Sequence, residues 1–213
     1  MKKLLMTLLA TMMLAVCDND PVFHGLTQQE KEAYAQGIKG EYPGQYAILY
    51  TDVHDPDGDG KMHREKFSDV SLSVSDLTMH TIIFNDFPLS LIARVVEDPE
   101  LSQALSTLPN IGLTGNYEFK RAVEDGKVGW YFDLNPVALS LTYGGEQHNI
   151  VLHFSTPSGP VTLAKGQVES GTVFVQGLQL TIDLSGIYEG DQQLLLQQWL
   201  DGPELIVIFR FGL

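Results

Sequence analysis

Cysteine is nearly missing from this chain: Cys17 is the only one in 213 residues. No internal disulfide can form, so whatever folds must be held by a hydrophobic core. Basic residues are scarce too, 13 Lys and Arg against 27 Asp and Glu, for a net charge of −14. Such a surface repels phosphate backbones and anionic lipid, which argues against nucleic acid as a partner. Long apolar runs are confined to the first residues, and no later stretch approaches the roughly 20 apolar residues that a membrane-spanning helix needs. Gly-x-Ser-x-Gly, a Gly-rich phosphate loop ending in Lys-Ser/Thr and a dinucleotide fingerprint are all missing. No fixed-period repeat and no long linker divides the chain.

What is present begins with a processing signal. Met1-Lys2-Lys3 is a short basic start, and Leu4 to Val16 is apolar except for Thr7 and Thr11. About 13 such residues are too few to stay in a bilayer, so residues 1–16 read as a lipoprotein signal peptide. Leu14-Ala15-Val16-Cys17 resembles the lipobox of bacterial lipoproteins, with Val16 standing where a small residue is usual. The resemblance implies acylation of Cys17, which makes it the lipid anchor. Residues 17–25 then form a polar tether in which Asp18 and Asp20 resemble surface-export signals, and residues 26–213 form a single β-rich domain.

Thr27-Gln28-Gln29-Glu30 matches a capping box, so a short helix is expected to follow and to stop at Gly37 or Gly40, resting on the domain. Period-two patterns take over at Gln45–Val53, Val70–Ser75 and Leu77–Phe84. A helical island interrupts, with Pro88 opening Leu89–Val96 and Asp98-Pro99 opening a second helix that ends before Pro109. Strands return: Tyr117–Val123, an Asp125-Gly126 turn, Val128–Leu134, and a hairpin of Val137–Tyr143 and His148–Ser155 around Gly144-Gly145. Thr172–Ser185 reads as a long strand, Asp191–Leu200 as a helix, and Glu204–Phe211 as a closing strand buried on both faces. The expected class is mainly β with a few short helices, an antiparallel sandwich or partly closed barrel. The alternative is α+β, with helices on one face of an antiparallel sheet.

The most specific chemical motif is Asp55-Pro56-Asp57-Gly58-Asp59-Gly60-Lys61. Calcium takes six to eight oxygens, and an EF-hand-type loop supplies them at positions 1, 3 and 5 with Gly at 6, the spacing of Asp55, Asp57, Asp59 and Gly60. The match ends at position 12, where Lys66 stands and Glu65 comes one residue early. Two readings stay open: a calcium site made by Asp55, Asp57, Asp59 and Glu65 that orders residues 53–65, and a solvated turn. The six histidines do not make a transition-metal set. His148 and His153 are five apart and face opposite sides of one strand, while His54 and His63 bracket an oxygen-rich loop that suits hard cations. Trp130, Tyr131, Tyr143 and Trp199 are candidates for a sugar-binding surface, although Trp130 falls on an apolar face and suits the core.

Together with the lipobox, Ile38-Lys39-Gly40-Glu41-Tyr42-Pro43-Gly44 and Phe84-Asn85-Asp86-Phe87-Pro88-Leu89 resemble an uncharacterised Bacteroidetes lipoprotein family, a domain of unknown function. The resemblance implies a cell-envelope protein and supplies no catalytic residue. The expectation is a non-enzymatic binding or interaction module, lipid-anchored to the outer membrane on its periplasmic or surface face, with a glycan, an envelope protein or a calcium-dependent partner. A hydrolase of envelope or dietary polymers and a structural subunit of a surface assembly are the alternatives.

Overall fold

A computed structural model describes residues 25–56, 61–121, 127–155, 161–164, 179–194 and 205–211. The first helix, α1 (Gln28–Ile38), starts on the expected capping box: the Glu30 N–H donates to Thr27 Oγ1 and the Thr27 N–H to Glu30 Oε2. It runs through Gly37 and ends at Ile38, leaving Lys39 as its C-cap before the first strand opens at Gly40. Tyr34, Ala35 and Ile38 enter the core, so the helix is part of the packing rather than a decoration on it.

Eleven strands follow: β1 (Gly40–Thr51), β2 (Met62–Val74), β3 (Thr81–Phe87), β4 (Ile111–Arg121), β5 (Lys127–Leu134), β6 (Val137–Tyr143), β7 (Glu146–Ser155), β8 (Val161–Ala164), β9 (Gln179–Glu189), β10 (Gln192–Leu194) and β11 (Leu205–Phe211). A 3-10 helix (Leu89–Val95) and α2 (Pro99–Ser106) fill the island between β3 and β4. Pro88 sits at the cap of the 3-10 helix rather than inside it. Asp98 caps α2 as expected, accepting from the Glu100 and Leu101 N–H groups at 2.9 Å each.

All pairings are antiparallel and run β6-β7-β9-β11-β1-β2-β3-β4-β5-β8, with β10 on β9. Laid flat, the eight steps from β6 to β5 would span ~38 Å. Yet only Asn135 and Pro136 join β5 to β6, a reach of at most ~11 Å. The sheet must therefore curl, and it forms a half-barrel in which β5 and β6 are two halves of one bent strand. Packing agrees: the Phe87 and Phe154 rings, from β3 and β7, lie 5.7 Å apart across the interior. The expectation of a mainly β chain with a partly closed barrel holds, rather than the α+β alternative with helices on one face of an antiparallel sheet.

The concave side is filled by Tyr46, Phe84, Phe87, Phe119, Trp130 and Phe209, each buried to 1 % exposure or less. Leu89, Ile92 and Val95 of the 3-10 helix and Leu101 and Leu105 of α2 join the same core and plug one end. Three strand readings need correction. Met62–Val74 is one 13-residue strand, so His63 and Glu65 belong to β2 and not to a loop. Gln192–Leu194 is strand β10, because Gly190 at φ 56° and Asp191 make a tight turn where a helix had been expected to begin. β11 alternates between buried and half-buried residues, so only its inner face is fully covered. The Asp125-Gly126 turn, residues 172–178 and residues 195–204 lie outside the described residues.

Candidate functional site

Polar side chains meet where β1 and β2 approach the helical island. β1 and β2 pair Ile48 with Glu65 and Tyr50 with His63, so Glu65 and His63 stand on the inward face at the barrel's rim. The Tyr50 hydroxyl donates to Glu65 Oε1 at 2.6 Å, and its ring stacks on His63 at 5.6 Å. Burial first, then the Glu65 carboxylate, pushes the Tyr50 hydroxyl up to about 12. His63 Nε2 contacts Asp55 Oδ2 at 3.2 Å. Two of the four calcium candidates, Asp55 and Glu65, thus each hold a protein partner, while Asp57 and Asp59 lie outside the described residues. Among the described residues no group of three or more His, Cys, Asp or Glu is arranged around a metal position.

Beside this rim, α2 is flanked by two grooves. One, of about 450 Å³, is lined by His54, Ser90, Arg94, Ser102, Gln103 and Ser106 over an apolar floor. Ser102 Oγ lies 3.0 Å from His54 Nε2, a pair that invites a nucleophile reading. The Ser102 hydroxyl, however, donates to the Ala93 carbonyl at 2.8 Å, so its one proton is committed and His54 is left to donate. The nearby acid, Asp52, accepts from the His54 backbone N–H and from Arg94. A base-activated serine needs the opposite arrangement.

The other groove, about 390 Å³, is bordered by Glu97, Asp98, Tyr143, Gln192 and Gln193. Tyr143 ends β6 and stacks on His148 at 3.8 Å and 17°, and His148 Nδ1 meets Glu189 Oε1 at 2.8 Å. Burial raises the Tyr143 hydroxyl, with Glu189 and Asp98 adding to it, so the phenol stays neutral and can donate. The stack fixes an aromatic ring beside carboxylate and amide groups, the combination that holds a sugar by face contact and hydrogen bonds.

Of the aromatic candidates, only Tyr143 borders a groove of this kind. Trp130 is core at 1 % exposure, Tyr131 lies under the Lys120 ammonium on the barrel wall, and Trp199 is outside the described residues, as is Cys17. His148 and His153 do face opposite ways, His148 toward Glu189 and His153, exposed, against Tyr188. Arg94 and Ser102 escaped the sequence reading because nothing in their spacing links a 3-10 helix and α2 to residue 54. No described helix is long and apolar enough to cross a membrane. Residues 37–170 match a family described as Domain of unknown function (DUF4840). No curated protein matches the chain, and no solved structure matches it.

Proposed function

This chain belongs to the DUF4840 family, whose description assigns no activity, and from that starting point we propose a non-catalytic binding module of the cell envelope that takes a hydroxyl-rich ligand, a glycan, at Tyr143. The observation that carries the proposal is the Glu189–His148–Tyr143 stack, which holds an aromatic ring rigidly at the edge of a groove furnished with acids and amides. Rigid side chains lose little entropy on binding, so a small groove can be selective. The committed proton of Ser102 favours binding over hydrolysis at the neighbouring groove.

The anchor belongs to the same reading. A lipid on Cys17, with residues 18–25 as tether, would hold the barrel at an outer-membrane surface, and mass spectrometry of protein from its host tests this by the presence of acyl chains on Cys17. Calcium at Asp55, Asp57, Asp59 and Glu65 would share Glu65 with the Tyr50 hydroxyl and Asp55 with His63, since a carboxylate has two oxygens and about four lone-pair sites. The ligand reading is tested by a glycan array followed by calorimetry on the best binder. Tyr143→Ala should weaken that binder at least tenfold with the fold retained. Unchanged affinity in that variant overturns the assignment to this groove.

A further inference from the structure

We propose that the second groove, on the His54 and Arg94 side of α2, is a separate binding site for a carboxylate. The chain carries 27 acidic residues, yet not one Asp or Glu is among the described residues that line this groove. Its polar lining consists of a guanidinium, an imidazole, three serine hydroxyls and the Gln103 amide. The Ser102 and Ser106 hydroxyls already donate to the Ala93 and Gln103 carbonyls, and His54 Nε2 donates to Ser102. What the groove offers an anion is therefore the Arg94 guanidinium, with the Ser90 hydroxyl and the Gln103 amide beside it.

The cationic group is also held in position. Arg94 lies in the last turn of the 3-10 helix, and its backbone carbonyl accepts the Val53 N–H at 2.9 Å. Asp52 Oδ2 sits 3.3 Å from Arg94 Nη1, steadying the guanidinium while its side chain stays half-exposed. A guanidinium carries five donors in a planar fork, and one contact at Nη1 leaves enough of them for a second carboxylate. Asp52 is in this sense an internal competitor for the ligand. The imidazole opposite is fixed as well: its Nε2 rests on Ser102 and its backbone N–H on Asp52. Arginine, unlike lysine, rewards the two-oxygen geometry of a carboxylate, so the site should discriminate acids from isosteric neutral molecules.

The experiment compares glucuronate with glucose on the full chain by calorimetry, at physiological ionic strength so that the net negative charge is screened. Glucuronate should bind at least tenfold more tightly than glucose. Arg94→Gln should erase that difference. Asp52→Asn keeps an acceptor for the His54 N–H while removing the competing charge, and should tighten glucuronate several-fold. Tyr143→Ala should leave the preference for glucuronate intact, which separates this site from the glycan groove. Equal binding of the two sugars, or a preference that survives Arg94→Gln in a variant that melts like the parent, overturns the proposal. Weaker glucuronate binding by Asp52→Asn counts against it too.

Discussion

Asp183 is the most exacting place to test the physics of this barrel. It stands on β9 opposite Ile206 and Ser155, on the side away from Leu180, Ile182 and Leu184, yet it is only 6 % exposed. Among the described residues its Oδ1 has no hydrogen-bond partner. Burial alone pushes its carboxyl up from 3.8 to about 6. The folded chain therefore holds this proton more tightly than the unfolded chain does. Stability contributed by the neutral acid is lost as pH rises from about 3.8 to about 6 and stays lost above that. A displacement of that size amounts to ~3 kcal/mol in full, of which ~1.6 kcal/mol has gone by pH 5. Asp183→Asn cannot ionise, so its stability relative to the parent should improve by roughly 1.4 kcal/mol between pH 5 and pH 8. Urea unfolding at the two pH values, compared at equal slope, measures it. A stability difference that is the same at both pH values would show that the folded barrel leaves the Asp183 carboxyl at its unfolded pKa, and the reasoning from burial would fail.

Other perturbations probe the frame and the rim. A Cβ on Gly115 would stand 2.3 Å from the Asp133 carbonyl oxygen, so Gly115→Ala should force β4 and β5 apart and lower stability by ~2 kcal/mol or more in a thermal or urea melt. Trp130 is buried and, among the described residues, its indole N–H has no partner, so Trp130→Phe sheds an unsatisfied donor while losing ring volume. It should cost less than ~1.5 kcal/mol by urea melt, whereas Trp130→Ala should cost about 3–5 kcal/mol. Tyr50→Phe removes the hydroxyl that orients Glu65, so if the acidic loop takes calcium through Glu65, this variant should bind it less tightly by calorimetry. Unchanged affinity would separate Glu65 from any such site.

Much of the fold could be read from period and punctuation, and the failures have physical causes. The capping box at Thr27, the Asp98-Pro99 start and the Gly144-Gly145 turn are local chemistry, and all three stand where the residues put them. The first half of β2 was hidden because Met62, Arg64 and Lys66 point to solvent while polar His63 and Glu65 point inward, so no apolar alternation marks the strand. The closing geometry was hidden for another reason. Pro136 reads as a break between two strands, whereas the chain only bends there, leaving β4 as a neighbour and taking up β7. Nothing local distinguishes a bend from a turn back. The grooves depend on that bend and on where α2 settles, so only Tyr143 among their lining residues was nominated by the sequence.

The position of α2 ties these observations together. β6, Val-Ala-Leu-Ser-Leu-Thr-Tyr, carries no charge and no proline, and among the described residues no strand pairs its outer side. An uncharged edge of that kind invites association with other chains unless something covers it. Here α2 packs against β6, with Glu100 reaching Gly144 and Leu101 buried in the core, before the chain runs straight into β4. The same eight residues thus close the end of the core, pack against an edge strand, and form a wall of each groove. A helix held by those obligations cannot swing aside to admit a ligand without exposing the core. Ligands must therefore enter the grooves from solvent along the flanks of α2, and selectivity must come from the side chains already in place rather than from a moving lid.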